Sequence, residues 1–308
     1  MSKAHLKDMK LVYSEPIGFI GLGKMGGGIV RNLLKRGVCV HVYDKNKTKR
    51  TIFNGLGAVV HDSPLKVAFH TKIIFLCLPY TPEVENVLFD AAGITHKKVF
   101  DLTLIDLSTI RSADARSFRA KLRKKNIRYC DCPVSGLPKK ARKGTLTLMF
   151  AGSKADYKTV LPYLKLMGKY VIYCGRSGTG QMMKTFNNIV YNINIAAISE
   201  ILSVAKKVGL DPVAFTKLLV TGSGRSFASE HFLPKILKRE FEGDYKLKAA
   251  HKDLENFKSL TKNLGIQLPV FEAMVEVYEE AMQKGYGSES KSAMVKVYEE
   301  KLKESNTG

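Results

Sequence analysis

From Gln181 to Val208 the chain carries no glycine and no proline, and Gly180 and Gly209 stand at its two ends. A breaker-free run of that length predicts one helix of roughly seven turns or more, longer than the usual globular helix. Its interior reads Ile189, Val190, Ile193, Ile195, Ala196, Ala197, Ile198, Ile201, Leu202, Val204 and Ala205. That apolar load is too wide for a single core-facing stripe, so the helix is expected to be covered on most sides, between two bodies of protein. Three polar residues near its start, Lys184, Asn187 and Asn188, have no packing reason to be there. Lys184 and Asn188 are four apart, hence one turn apart on one face. An amine above an amide suits a small polar ligand.

Ahead of that helix, strand and helix signals alternate. Pro16 to Ile20 is a short apolar strand that runs into Gly21-Leu22-Gly23-Lys24-Met25-Gly26, and Met25 to Leu34 reads as a helix stopped by Gly37. Val38 to Asp44 is a second strand ending in a carboxylate. Glycines in this strand–turn–helix setting let the backbone approach a pyrophosphate, and the helix start offers N–H groups and positive dipole to it. Gly21, Leu22, Gly23, Met25 and Gly26 are therefore expected at a dinucleotide, with Asp44 accepting hydrogen bonds from a ribose. A carboxylate there repels a 2′-phosphate and favours NAD. Lys45, Lys47, Lys49 and Arg50 follow at once, and any of them can pair with that phosphate, so NADP stays open.

The alternation continues through strands at Lys72–Leu78, Leu104–Thr109, Arg128–Pro133, Gly144–Ala151 and Tyr170–Tyr173, with Val134–Pro138 as a loop. Helices are expected at Pro82–Phe89, Ala113–Lys125 and Lys154–Met167. In an open parallel sheet the loops leaving the carboxyl ends of strands line the ligand crevice. Leu78, Pro79, Tyr80, Ser108 and Thr109 are thereby placed toward the nicotinamide half. After Gly209 strand signals vanish, and Pro212–Val220, Phe227–Lys238, Tyr245–Leu264, Pro269–Lys284 and Ser288–Lys303 all read as helices. The fold class is α/β: a doubly wound Rossmann sheet over 16–178, then an all-α domain over 179–308 that begins with the long interdomain helix. Residues 1–15 form a flexible extension with no secretory h-region.

Composition narrows the function. No run of about 18 apolar residues exists, so no membrane-spanning segment is expected. Five scattered cysteines, with Cys130-Asp-Cys132 lacking a second pair, argue against a zinc site and for a reducing compartment, the cytoplasm. The net charge of +22 attracts anionic cofactors. Its lysines are spread along the chain, clustered at 45–50 and 121–125, without the interleaved aromatics that stack bases. That argues against a nucleic-acid partner.

Several motifs, in order, resemble the β-hydroxyacid dehydrogenases, and 3-hydroxyisobutyrate dehydrogenases most of all. They are Gly18 to Gly26, Asp106-Leu-Ser-Thr109, Asp131-Cys-Pro-Val-Ser-Gly136, Gly144-Thr-Leu146, Gly178-x-Gly180 through Lys184 to Asn188, and Lys252-Asp253. The resemblance implies Lys184 as the general acid/base, Asn188 as a substrate-holding amide that steers the hydroxyl or the carboxylate, and Ser135 and Gly136 as the carboxylate-binding loop. It implies Ser108 and Thr109 on the nicotinamide side, and Lys252 with Asp253 at cofactor and substrate. Gly222-Ser-Gly-Arg-Ser-Phe227 is similar to a Ser-Gly-Arg segment of the 3-hydroxyisobutyrate enzymes. Where the family has further glycines after Ser135-Gly136, this chain has Leu137 and Lys140, and Ser290 stands for a family aspartate. The implied activity is NAD(P)-dependent oxidation of a small β-hydroxyacid, or reduction of its semialdehyde. A reductase of tartronate or succinic semialdehyde or of glyoxylate, a 6-phosphogluconate dehydrogenase, and a non-catalytic dinucleotide- and nucleic-acid-binding module are the alternatives. The long apolar helix also predicts a homodimer or a homotetramer built from dimers.

Overall fold

The computed structural model describes residues 15–97, 100–243 and 246–304. The extension expected over 1–15 lies outside them except for Glu15, as does Tyr245, the expected start of a helix. The chain divides into two compact units, Met1–Lys184 and Thr185–Gly308.

Ile17–Ile20 (β1) is buried at every position because it lies in the middle of a sheet covered on both faces. Val40–Tyr43 (β2) and Val59–Val60 (β3) flank it on one side, and Ile73–Leu76 (β4), Thr103–Asp106 (β5) and Arg128–Asp131 (β6) on the other. The order is β3-β2-β1-β4-β5-β6, every pair parallel. The two-residue period of a strand splits the core into two layers. Ile17, Phe19, Phe75 and Ile105 pack with the helix Gly26–Lys35 (α1), whereas Ile20, Ile74, Leu76 and Leu104 belong to the opposite cluster. That second cluster includes residues of Pro64–His70 (α3), Thr81–Phe89 (α4) and Ser112–Arg123 (α5). This is the doubly wound sheet that the alternating pattern predicted.

Between β2 and β3 lies Lys47–Asn54 (α2), capped by Asn46, whose side chain accepts from Lys49 N–H; Ser63 caps α3 in the same way. These short elements have weak periodicity, and their caps are what the sequence offered to find them. The segment after β6 departs from expectation more strongly. Val134–Ser135 (β7), Leu146–Phe150 (β8) and Gly168–Tyr173 (β9) form a separate three-stranded sheet, with β7 antiparallel to β8 and β8 parallel to β9. A single antiparallel bridge, Asp131 to Ala151, joins it to the main sheet. Pro133 has no N–H to extend the β6 ladder, which ends at Asp131. The loop expected over Val134–Pro138 instead holds β7, and its last residue opens a helix not foreseen from the sequence, Pro138–Lys143 (α6), closed by Gly144 in the left-handed region. Lys154–Met167 (α7) connects β8 to β9.

The long helix runs over Thr179–Lys207 (α8). Among the described residues it is the one helix long and apolar enough to cross a membrane, although half of its most apolar window is buried in the protein. In the second unit Ile189, Ile195, Ile198 and Leu202 pack in the core with Phe232, Leu233, Phe257, Met274 and Tyr278. They lie among Pro212–Thr221 (α9), Phe227–Leu237 (α10), Ala249–Thr261 (α11), Pro269–Gln283 (α12) and Met294–Glu304 (α13). The expected helix over Ser288–Lys303 begins late, after two 3-10 turns. Ser290 stops an earlier start: its N–H goes to Phe241 C=O and its hydroxyl accepts from Ser292 N–H.

Candidate active site

The loop from β1 to α1 is folded as tightly as backbone allows. Gly21 has φ +100, and a Cβ there would lie 2.3 Å from the Cys77 carbonyl; one on Gly26 would lie 2.0 Å from the Gly21 carbonyl. A Cβ on Gly23 would project into open space, so packing does not explain that glycine and the approach of a ligand does. α1 has no side-chain cap and no acid in its first turn. Its positive end is thus left for an anion, and these residues fit a dinucleotide pyrophosphate.

Asp44 is 8% exposed. One oxygen accepts from Leu22 N–H at 2.7 Å and the other from Asn46 N–H at 2.8 Å, with Lys49 Nζ 3.6 Å away. The carboxylate therefore clamps the glycine loop to the end of β2 as well as standing at the expected ribose position. Lys45 is exposed, and Arg50 donates to the Asp44 carbonyl at 2.7 Å while its guanidinium lies over the Tyr43 ring.

The ends of β4 and β5 are tied together by Leu78 N–H donating to Ser108 Oγ at 2.9 Å. Ser108 N–H in turn donates to Asp106 at 2.9 Å, and Tyr129 OH donates to the same carboxyl group at 2.7 Å. Burial pushes the Asp106 carboxyl up to about 6, against those hydrogen bonds. Ser108 is 3% exposed with its hydroxyl engaged, so it positions the strand ends; Pro79, Tyr80 and the half-buried Thr109 are the more accessible of this group.

Two residues that the sequence reading did not single out seat the long helix. Asp131, at the end of β6 and in register with Asp106, accepts from Ser177 Oγ (3.0 Å), Gly178 N–H (2.6 Å) and Gln181 N–H (3.0 Å). Burial raises its pKa, opposed by these same donors, Gly178 first. Gln181 is fully buried; its amide donates to the Ser108 carbonyl at 2.8 Å and accepts from Ile110 N–H at 3.1 Å. The sequence signal was a second Asp closing a strand, followed by a glutamine at the start of a helix. Half-buried Lys184 follows Gln181 by three residues, at the carboxyl edge of the sheet where α/β proteins bind ligands. Ser135 pairs with Thr147 across β7 and β8, and Gly136 (φ +139) is covered by Leu146 and the aliphatic stem of Lys140. On the same unit Arg116, Arg119 and Arg123, which share one face of α5, gather with the sequence-distant Arg176 around a hollow of about 410 Å³.

Within the helical unit, Asn188 and Asp253 come together. Asn188 Nδ2 donates to Asp253 Oδ1 at 3.0 Å, and Asn187 Nδ2 donates to Asn188 Oδ1 at 3.2 Å. Lys252 is half-buried beside Asp253 on α11. One turn beyond Asn188, the buried Asn192 Oδ1 accepts from Lys291 Nζ at 2.5 Å and from Tyr278 OH at 3.2 Å.

A glycine turn feeding an uncapped helix at the centre of a 3-2-1-4-5-6 sheet, continued into a helical second unit, defines the class: an NAD(P)-dependent oxidoreductase. The comparisons carry this to a family. Residues 16–175 match the model described as the NAD binding domain of 6-phosphogluconate dehydrogenase. Residues 178–298 match that described as NAD-binding of NADP-dependent 3-hydroxyisobutyrate dehydrogenase. The chain is 33% identical to 2-(hydroxymethyl)glutarate dehydrogenase of Eubacterium barkeri, covering 93% of this chain and 96% of that protein. It is 34% identical to 2-hydroxy-3-oxopropionate reductase of Escherichia coli (92% and 97% covered). A crystal structure of 3-hydroxyisobutyrate dehydrogenase from Salmonella typhimurium superposes with a TM-score of 0.81 at 26% identity, covering 92% of this chain and 99% of that one. The chain belongs to the β-hydroxyacid dehydrogenase family and is an oxidoreductase acting on CH–OH groups.

Proposed function

We propose that the protein interconverts a small β-hydroxyacid of the 3-hydroxyisobutyrate type and its semialdehyde, with Lys184 as general acid/base and NAD as the preferred cofactor. The observation that carries this reading is the seating of α8: Asp131 and Gln181 bind its first turn to the strand ends, which supports a fixed position for Lys184. Bound nicotinamide supplies the hydride acceptor. Lys184 takes the hydroxyl proton in oxidation and returns it in reduction. The Ser135–Gly136 loop receives the substrate carboxylate, and Asn188, held by Asp253, orients the substrate from one turn along α8. Lys252 is the cationic contact to substrate and cofactor.

The preference for NAD rests on Asp44. Lys140, lying along Gly136, favours a second reading in which the substrate carries a further carboxylate, as 2-(hydroxymethyl)glutarate does. The test is absorbance at 340 nm with purified protein, either cofactor, and a panel of β-hydroxyacids and semialdehydes. Turnover of 3-hydroxyisobutyrate that falls ~10²- to 10⁴-fold in Lys184→Ala, with dinucleotide binding retained, is the expected result. An unchanged kcat in that variant overturns the role of the lysine, and turnover confined to dicarboxylates selects the second reading.

We also propose a homodimer or a tetramer of dimers. Val190 (59% exposed), Ile201 (51%) and Val204 (43%) on α8, with Val208 (69%) just beyond its end, form an apolar stripe that a second copy would cover. A monomer by light scattering at micromolar concentration overturns it. Free thiols at all five cysteines support a reducing compartment, and the cytoplasm is the location we propose.

A further inference from the structure

We propose that His41, His61 and His70 form a binding site for one divalent transition-metal ion, Zn²⁺ in the first instance, on the nucleotide-binding unit. Their ligand nitrogens all lie within 4.8 Å of one another. The fold brings them from three separate elements. His41 points away from the side of β2 that buries Val40 and Val42. His61 follows β3 and is held to β2 through its N–H on the Val42 carbonyl. His70 is the last residue of α3, a helix packed on β1 and β2.

The orientation of the rings favours coordination. His70 Nδ1 lies 2.7 Å from the Lys66 carbonyl, an acceptor, so Nδ1 carries the proton and Nε2 keeps its lone pair outward. That is the backbone contact by which metal-bound imidazoles are usually oriented. His41 Nδ1 and His61 Nε2 are 2.9 Å apart, a hydrogen bond in which one of the two nitrogens carries the proton, so an ion would replace that proton as the ring takes its other tautomer. Two nitrogens on a tetrahedral zinc, each about 2.0–2.1 Å from the ion, stand roughly 3.3 Å apart, so this pair opens by a few tenths of an ångström to admit one. His70 is exposed, and its ring is the one with room to close the remaining gap.

The charge of the surroundings is compatible with the ion. Lys66, the nearest cation on α3, is paired with Asp62 at 2.7 Å. Three imidazoles and no thiolate suit Zn²⁺, Ni²⁺ or Cu²⁺ rather than Mg²⁺ or Ca²⁺. Three protein ligands leave a fourth position to water. Such an ion would fasten α3 and the β3–α3 loop to β2, the strand that ends in Asp44, and so stabilise the nucleotide-binding unit.

The test uses the full-length protein stripped with chelator and titrated with ZnCl₂ by calorimetry, beside His41→Gln, His61→Gln and Cys39→Ser. The expected result is one site with a Kd of about 1 μM or below. Affinity should fall about 10-fold or more in each histidine variant and stay unchanged in Cys39→Ser. Co²⁺ should give the visible absorption of a four-coordinate nitrogen site in wild type and lose it in His61→Gln. Circular dichroism of the variants guards against simple unfolding. The absence of a one-to-one site in wild type, or undiminished affinity in folded His41→Gln and His61→Gln, overturns the proposal, as does loss of binding in Cys39→Ser.

Discussion

Asp131 accepts the backbone N–H of Gln181 at 3.0 Å, and through it the end of a buried strand becomes the cap of the longest helix in the protein. A carboxylate on a helix N-terminus satisfies orphan donors and complements the dipole. Here it also fixes the origin from which Lys184 is measured. Asp131→Ala removes a buried acceptor of three hydrogen bonds, and we expect it to destabilise the first unit by about 2–4 kcal/mol. Urea denaturation should show the loss. In the folded fraction kcat should fall while the Kd for dinucleotide changes little.

Asp44 has two tasks, clamping Leu22 and disfavouring a 2′-phosphate. Asp44→Ala leaves Lys49 and Arg50 in place, so the ratio of kcat/KM for NAD to that for NADP is expected to drop by about 10-fold or more. Steady-state kinetics with both cofactors measures it; an unchanged ratio would show that Asp44 acts on the loop alone.

Asp106 titrates in an unusual range. Its folded value of about 6 lies above that of an unfolded aspartate, so the folded protein holds a proton that the unfolded chain has already released. That stabilisation is complete below about pH 4 and is lost as pH rises through 6. Relative to Asp106→Asn, the wild type should lose on the order of 3 kcal/mol between pH 4 and pH 7, read from urea midpoints across that range.

The five thiols differ in reach. Cys39 is exposed, whereas Cys130 and Cys132 are buried and burial drives their pKa values upward. Brief alkylation of the native protein should label Cys39 first by mass spectrometry and leave Cys130 and Cys132 unmodified until the protein unfolds.

Local chemistry is what made much of this protein legible in its sequence. The glycine turn, the carboxylate closing β2, the breaker-free span of α8 and the loss of strand signals after Gly209 each follow from backbone freedom or periodicity over neighbouring residues. Together they determined the α/β class, the dinucleotide site and the helical second unit. Lys184 and Asn188 were likewise readable as neighbours, because a helix fixes the spacing of residues four apart.

What the tertiary structure decided depends on residues distant in sequence. Asp131 and Gln181 are 50 positions apart, and no local pattern says that a strand-end carboxylate will cap a helix so far along. The separation of β7, β8 and β9 into a second sheet turns on where the chain reverses after Pro133, since apolar alternation alone does not tell which edge a strand joins. Ser108 was readable as a strand-end hydroxyl, but its acceptance of Leu78 N–H, 30 positions away, which ties two strand ends together, was not. The three histidines at 41, 61 and 70 have no motif at all. Parallel pairing and a helix packed on the sheet bring them to one point, because a fold joins surfaces by burial rather than by order along the chain.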